Sequence, residues 1–401
     1  MDSPATNTVA ADQSGSRRGR LLTMPFALIT LTALAYFTAL GTLLPTFPKY
    51  IEDDLGGSGL VVGVAVGIFS ISAAILRPWA GRFGDRRGRR LLVVGGALLV
   101  ALSVAGYALV DNVAILIAMR IVTGAGEAAA FVGLATAVQD LAPSDRRGEA
   151  ASYFSVAVFA GLAIGPTLGE RIARNHGYHT TWVCAGALAL LAAAFGSATP
   201  VGEPSNYKPR TVLHPAALKP GLVLFLGLMP FTAFSAFVAL YAKNRLGVDN
   251  VAPVFAAHAG AALIIRLFGA RLPDRLGWRR ASLVSLTAAS IAGLVFGGWP
   301  SIIGVYVATG FLCIGQSFLF PALFTAVVHD APEAERSHAV GTFSLFFDLA
   351  SGIGAPFLGL VVSLSNYRGA FFASALIGAS GFIALRRLRR SFDARPSVAG
   401  A

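Results

Sequence analysis

The sequence predicts an all-α membrane protein with twelve transmembrane helices, arranged as two six-helix, pseudo-symmetric bundles around a central cavity. Three observations predict this fold: the composition, the long apolar runs and an internal repeat. Of the 401 residues, 55% are hydrophobic and only 13% are charged. A soluble domain of this length needs a far more polar surface. Lipid is therefore the expected solvent of this chain.

The apolar runs are long, uncharged and continuous, unlike the alternating segments of barrel strands. A bilayer core of about 30 Å needs about 20 apolar residues as helix. The predicted spans are 24–47, 58–79, 91–109, 112–139, 149–169, 179–198, 219–242, 251–268, 281–299, 301–328, 337–363 and 367–385. The predicted organisation is a disordered cytoplasmic N-terminus (1–20), a first bundle (21–198), a cytoplasmic linker (199–220), a second bundle (221–387) and a cytoplasmic tail (388–401).

The basic residues are concentrated on one side of the predicted membrane. Of the 32 Lys and Arg residues, 25 fall on the side of the two termini, counting Arg77, and six fall on the other side. By the positive-inside rule, this asymmetry predicts cytoplasmic termini in the inner (plasma) membrane. The net charge of +12 therefore needs no nucleic-acid partner. The first apolar run is too long for a signal peptide and is interpreted as a retained helix.

An internal repeat relates the two halves by a shift of 189 residues. The segment 75–90 matches 264–280, which places Asp85 on Asp274. The same shift aligns a second pair of segments, which begin at Gly126 and Gly315. Because each half has an even number of predicted spans, the halves are expected to be parallel repeats with a solute path between them.

These segments resemble the major facilitator superfamily, specifically its drug and proton antiporter branch with twelve helices. The stretch GRFGDRRGRR at 81–90 resembles the loop motif between helices 2 and 3 of that family, and RIVTGAGEAAA from Arg120 resembles its helix 4 motif. The stretch GLAIGPTLGE at 161–170 resembles the Gly-Pro motif of exporters, with Glu170 where the family has Gly. The resemblance implies a secondary active transporter, most simply a proton-coupled exporter of amphipathic or drug-like compounds that works by alternating access.

The loop motif predicts a gate between the halves. A carboxylate at the membrane surface beside several arginines can pair with them or cap the N-terminus of a neighbouring helix, which the resemblance places at helix 11. Such contacts can form in one conformation and break in the other. The gating candidates are Gly81, Asp85, Arg86, Gly88, Arg89, Arg90, Asp274 and Arg275. The alternative is that this cluster only sets the topology.

Two carboxylates lie deep in predicted spans, where an ionised side chain costs about 2.5 to 3.5 kcal/mol and needs a partner or water. Glu127 lies two helical turns from Arg120 on the same face, and the repeat aligns it with Gln316. Asp348 lies near the middle of helix 11. The predicted proton-coupling residues are therefore Glu127, Asp348 and Arg120. The alternatives are a structural pair between Arg120 and Glu127, and an Asp348 bonded to hydroxyls of helix 2.

The resemblance implies that helices 1, 4, 7 and 10 line the solute cavity. Aromatic side chains there suit amphipathic or cationic organic molecules. The predicted substrate-binding residues are Tyr36, Phe37, Phe131, Phe231, Phe234, Tyr241, Gln316 and Phe320. The alternative for each Phe is lipid contact or core packing.

Small residues recur along three predicted helices. Gly161, Gly165, Pro166 and Gly169 in helix 5 are predicted helix-packing residues, because glycines four apart let another backbone approach closely. Together with the glycines of helices 2 and 11, they are expected to line the surfaces on which the halves slide.

No paired carboxylates, Ser/His dyad, metal-spaced His/Cys cluster or Gly-rich phosphate loop with Lys stands in the sequence. A membrane-embedded enzyme is therefore a distant alternative, and no cofactor or metal is expected. The expected partners are a small-molecule solute, protons and membrane lipid, with the monomer as the functional unit. A proton-coupled transporter of a polar metabolite, such as a sugar or a metallophore, stays the closer alternative.

Overall fold

The computed structural model describes residues 21–143, 146–199, 213–269, 272–330 and 336–393. In these ranges every regular element is helical, as a lipid environment requires of backbone polar groups. The helices are α1 (Met24–Asp53), α2 (Gly59–Arg87), α3 (Arg89–Gly106), α4 (Val113–Asp140), α5 (Arg147–Ser197), α6 (Pro215–Gly227), α7 (Met229–Leu246), α8 (Ala252–Gly269), α9 (Leu272–Gly298), α10 (Ile302–Asp330), α11 (Arg336–Leu364) and α12 (Tyr367–Asp393). The predicted disordered N-terminus, residues 200–212 of the predicted linker and residues 394–401 of the predicted tail lie outside the described residues.

Ten helical stretches of the described chain are long and apolar enough to cross a membrane, so the predicted all-helical membrane fold is confirmed. One of them, Tyr153–Ser197, has 45 residues, more than twice the length that one crossing needs. Gly177 interrupts it with φ 82° and ψ 172°, a conformation that glycine adopts readily. The predicted spans 149–169 and 179–198 lie on the two sides of this break. The apolar part of α8 is shorter, Ala252–Ile265.

Three predicted boundaries in the second half are wrong. Helix α6 begins at Pro215, inside the predicted linker 199–220. The predicted span 219–242 is divided between α6 and α7, because Pro230 in the first turn of α7 has no N–H to continue the bonds of α6. Helix α12 continues to Asp393, inside the predicted tail.

The helices pack into two groups, α1–α5 and α6–α12, which meet chiefly where α2 contacts α11 and where α5 contacts α8. The shift of 189 residues carries α2 onto α8 and the first part of α5 onto α11, so it exchanges these two contacts. Gly88 and Gly277, which the shift aligns, have nearly the same backbone conformation, with φ/ψ of 91°/146° and 74°/152°. The repeat in the sequence is therefore also a repeat in the backbone.

The two faces of the bundle can be told apart by contacts at the helix ends. Tyr367, at the start of α12, donates a hydrogen bond of 2.6 Å to Glu52, near the end of α1. We call this face the distal side. Helix α1 begins and α12 ends on the opposite face, which we call the terminal side.

Helices α2 and α11 form a close antiparallel seam between the two groups. Gly59, Gly63 and Gly67 of α2 lie against Gly359, Ala355 and Gly352 of α11, and an added Cβ at any of the three would overlap the facing helix. Small residues thus allow backbone-to-backbone contact between the halves. Small residues of α2 and α11 therefore lie in a contact between the halves, and sliding along that contact stays a prediction.

The glycines of α5 do not face the other half, so that part of the prediction is wrong. Gly161 lies against Thr38, Gly165 against Gly41, and Gly169 against Thr42, all of which belong to α1. Pro166 also contacts Gly41. Because α1 carries a matching stripe of small residues, this face of α5 is used for packing within the first group.

The seam gives a first prediction. Gly63→Ala is expected to lower stability by about 1 to 3 kcal/mol, because the new methyl must displace the Ala355 carbonyl. Gly95→Ala in α3 is the matched control, because a Cβ there meets no described atom within 4 Å and alanine favours the helix. Thermal unfolding of the purified protein in detergent measures both variants. Equal melting temperatures for the two would contradict a tight seam.

Candidate functional site

Three charged side chains from three helices meet inside the bundle. Arg77 of α2 donates from Nη2 to Oε1 and Oε2 of Glu127 of α4 at 3.1 and 3.2 Å. Its Nη1 lies 2.6 Å from Oδ2 of Asp348 of α11. Glu127 and Asp348 are each only 7% exposed. We call Arg77, Glu127 and Asp348 the central triad, which joins the two helix groups by an ion pair.

The burial of Arg77 corrects its assignment to the basic surface of the terminal side. Its guanidinium lies 4.7 Å from the centroid of the Phe131 ring, and its side chain is 19% exposed. The sequence could have indicated this burial, because Arg77 stands alone among apolar residues ahead of the main arginine cluster. That pattern places Arg77 within the membrane-spanning part of α2, but it does not identify Glu127 and Asp348 as its partners.

Arg120 does not pair with Glu127, so the predicted structural pair on α4 is wrong. Its guanidinium lies between the rings of Phe47 and Phe69, 4.4 Å from each centroid, and its Nε donates to the carbonyl of Ala65 at 3.0 Å. Cation–π contacts and one carbonyl satisfy the charge. Arg120 thus fastens α4 to α1 and α2, and no contact with a carboxylate in the described residues supports its predicted coupling role.

Three predicted substrate-binding residues of the first group lie beside the triad. Phe131 covers Arg77 and meets Phe37 edge-on, with ring centroids 6.4 Å apart. Phe37 in turn meets Tyr36 at 5.4 Å. The Tyr36 hydroxyl is buried and has no hydrogen-bond partner in the described structure. This aromatic cluster and an unsatisfied hydroxyl form one wall of the candidate site.

Two further predicted substrate-binding residues, Phe231 and Gln316, belong to the second group. Phe231 of α7 lies 6.4 Å from Phe347, the chain neighbour of Asp348. Gln316 of α10 has a buried Oε1 without a partner among the described residues.

Phe320, Phe234 and Tyr241 have packing partners within the second group. Phe320 packs on Phe343 at 5.0 Å. Phe234 is 1% exposed, and the Tyr241 hydroxyl donates to the carbonyl of Phe296 at 2.9 Å. Phe234 is thus buried, as the core-packing alternative expects, and the Tyr241 hydroxyl is bonded within the second group; solute contact by either residue stays a prediction.

In the described part of the chain, no group of three or more His, Cys, Asp or Glu residues comes together as a metal site would require. The nearest approach to a ligand pair is the buried Cys313 thiol, 3.2 Å from Nδ1 of His258.

The structure describes the side chains of some gating candidates and not of others. Arg89 forms an ion pair with Asp140 of α4 and donates to the Thr136 carbonyl at 3.5 Å. These two contacts lie within the first group, and the predicted gating role of Arg89 stays a prediction. Arg90 is exposed. The side chains of four further candidates lie outside the described residues: Asp85, Arg86, Asp274 and Arg275.

Beyond the triad, on the terminal side, Gly81 of α2 and Gly341 of α11 lie along the two helices of the seam. A Cβ at either glycine would meet no described atom within 4 Å. Among the described residues, the glycine contacts of the seam therefore lie on the distal side of the triad.

The distal side, in contrast, is closed by polar contacts that the sequence did not predict. Lys49 forms a buried ion pair of 2.8 Å with Glu170 of α5, the residue that departs from the exporter motif, and also donates to the backbone carbonyl of Asp249 in the second group. We call the wider set the distal latch: Lys49, Glu52 and Asp53 of α1 with Lys243, Asn244 and Tyr367 of the second group. These residues come from segments that are far apart in the sequence, so no local sequence pattern predicts their contacts.

The chain was compared with known proteins. The family model of the Major Facilitator Superfamily matches residues 29–313 and 254–401. An uncharacterized MFS-type transporter of Salmonella typhimurium (strain LT2) is 31% identical over 366 residues, covering 86% of this chain and 92% of the relative. An uncharacterized MFS-type transporter of Burkholderia mallei (strain SAVP1) is 30% identical over 397 residues and 94% of each chain.

Solved structures share the fold at low identity. A bacterial homolog of the human lysosomal transporter Spinster, inward-facing and occupied, has a TM-score of 0.77 at 15% identity, covering 93% of this chain and 98% of that one. A peptide transporter has a TM-score of 0.77 at 16% identity, covering 91% and 94%. A nucleoside transporter has a TM-score of 0.72 at 16% identity, covering 92% and 100%.

Proposed function

This chain belongs to the major facilitator superfamily of transporters, and we propose that it exports small amphipathic or drug-like organic compounds in exchange for protons. The multi-pass fold and the transporter relatives support secondary transport of a small molecule. The proposal of proton exchange rests on the central triad. In the triad, a carboxylate from each half contacts the guanidinium of Arg77.

The charge balance of the triad favours proton exchange. Two carboxylates and one guanidinium carry a net charge of −1 when all three are ionised, in a site where uncompensated charge is costly. A single bound proton makes the set neutral. Because Arg77 and Asp348 belong to different halves, a proton on Asp348 also weakens the ion pair that joins α2 to α11. Proton binding and movement of the halves are thereby linked.

The contacts at the two sides of the bundle support alternating access. The distal latch joins the halves on one side, whereas a Cβ at Gly81 or Gly341 on the terminal side would meet no described atom within 4 Å. We propose that the terminal side is cytoplasmic, in agreement with the basic residues there. We propose twelve crossings. Ten long apolar stretches become eleven because Gly177 divides the longest of them into two, and α8, with its shorter apolar part, is the twelfth.

The walls around the triad support an amphipathic solute. Tyr36, Phe37 and Phe131 supply aromatic surface from the first half, and Phe231 supplies it from the second. The Tyr36 hydroxyl, which has no hydrogen-bond partner among the described residues, can bond a polar group of the solute, and we propose the same for the Oε1 of Gln316. The solved nucleoside and peptide transporters keep a polar metabolite as the alternative cargo.

Inverted membrane vesicles test the proposal. A panel of labelled lipophilic amines, lipophilic anions, nucleosides, peptides and sugars is offered to vesicles with an acidic interior. We expect uptake of lipophilic compounds that stops when the proton gradient is collapsed. Uptake that is confined to polar metabolites would replace the proposed cargo, and uptake that ignores the gradient would remove proton exchange.

The loop motif carries a separate proposal, that Asp85 helps to gate the terminal side. Asp85→Asn is expected to slow the interconversion of the two conformations severalfold without altering solute affinity in a fixed conformation. Labelling rates of cysteines placed on each side measure the interconversion. Asp111→Asn, an exposed site on the distal side, is the control. Equal labelling rates for Asp85→Asn and the wild type would leave the loop a topology signal only.

A further inference from the structure

A groove between α6 and α12 combines apolar walls with two cations at one end. It has a volume of about 310 Å³ and is lined by Leu222 and Leu226 on one wall and by Ile383 and Ala384 on the other. The lining positions recur every three or four residues, at 219, 222 and 226 in α6 and at 380, 383 or 384, and 387 or 388 in α12, so each set forms one stripe facing the groove.

Both stripes end in a cation at the terminal side. Lys219 lies one turn before Leu222 in α6, and Arg387 lies one turn after Ile383 in α12; both line the groove. Both are exposed, and neither has an ion pair with any described residue. Helix α6 begins and α12 ends on the terminal side, so the two charges stand at the same membrane surface. No carboxylate of the described residues pairs with either cation at the mouth of this apolar groove.

The contrast with the larger groove makes this charge informative. That groove, of about 720 Å³ between α2, α3 and α4, is lined only by apolar residues such as Trp79, Phe83 and Leu99. Its lining residues include no cation, so the groove itself suits any acyl chain. The α6–α12 groove has chain-binding walls and headgroup-binding cations together.

We propose that the α6–α12 groove is a binding site for an anionic phospholipid of the leaflet on the terminal side. One acyl chain lies between the leucines of α6 and the Ile383–Ala384 stripe, and the phosphate lies between Lys219 and Arg387. Basic pockets between transmembrane helices attract anionic headgroups in this way. Because α6 and α12 both belong to the second half, a bound lipid would brace that half without crossing the seam.

Lipid titration of the purified, delipidated full-length protein tests the site. Native mass spectrometry measures the binding of dioleoylphosphatidylglycerol and, for comparison, dioleoylphosphatidylcholine. We expect the wild type to prefer the anionic lipid. We expect Lys219→Gln and Arg387→Gln each to weaken that preference about fivefold, and the double variant to weaken it about 25-fold.

Two controls separate a built site from a diffuse basic belt. Arg386→Gln removes an exposed cation next to Arg387 that does not line the groove, and we expect a change of less than about twofold. Ala384→Trp fills the groove while keeping both cations, and we expect it to remove the tight site; Leu222→Trp does the same from the other wall if Ala384→Trp misfolds. An equal effect of Arg386→Gln, or tight binding that survives a filled groove, would overturn the proposal.

Discussion

Arg77→Met is expected to abolish transport and to lower the stability of the folded protein by about 3 to 5 kcal/mol. The substitution keeps most of the side-chain volume and removes the one cation shared by Glu127 and Asp348. Two buried carboxylates are then left without compensation. Thermal unfolding of the purified protein and solute uptake in vesicles measure the two effects.

A compensating variant distinguishes this loss from a simple packing defect. Arg77→Met combined with Glu127→Gln and Asp348→Asn has no buried charge in the triad, so we expect its melting temperature to return close to that of the wild type, while transport stays absent. Arg87→Met is the matched control in the same helix, because Arg87 is exposed and lies 6.0 Å from the Phe83 ring. If the triple variant is as unstable as Arg77→Met, the triad charges are not the cause.

The sequence predicted the parts of this structure that depend on local composition or on self-similarity. Apolar runs gave the helices, and the shift of 189 residues anticipated the matching conformations of Gly88 and Gly277. The sequence also identified Glu127 and Asp348 as candidate site residues, because a carboxylate deep in an apolar span is costly and rare. These features need no knowledge of which helices are neighbours.

Partner assignments could not be read in the same way. Helical periodicity places Arg120 and Glu127 on one face, but two turns separate them, and the nearer groups are rings and a carbonyl of α1 and α2. The glycines of α5 predicted a close contact with another helix, but they did not identify α1 as that helix. Only the packing of helices decides such choices, because each face has several possible neighbours.

The distal latch shows the same limit for charged residues near helix ends. Glu170 departs from the exporter motif, yet its buried pair with Lys49 joins α5 to α1, and Lys49 reaches on to a carbonyl of the second half. Glu170, which differs from the motif, thus holds the Lys49 side chain that contacts the second half on the distal side. The difference from the motif is therefore consistent with transport.

Glu127→Gln and Asp348→Asn are expected to abolish accumulation of solute against its gradient while leaving downhill movement in place. Each amide imitates the protonated carboxyl and cannot release a proton. For exchange of one proton, each unit of pH difference can drive accumulation of about tenfold, since one pH unit corresponds to about 1.4 kcal/mol. The accumulation ratio of either variant should therefore fall to about one at any imposed pH difference.

The two variants should also differ from each other, because only Asp348 joins Arg77 across the halves. Asp348→Asn is expected to speed the separation of α2 and α11, which cysteine labelling near Gly81 and Gly341 measures, whereas Glu127→Gln leaves that ion pair in place. Glu149→Gln, an exposed carboxylate paired with Arg146, is the control and should keep full accumulation. Accumulation that still follows the pH difference in both single variants would place the proton site outside the triad.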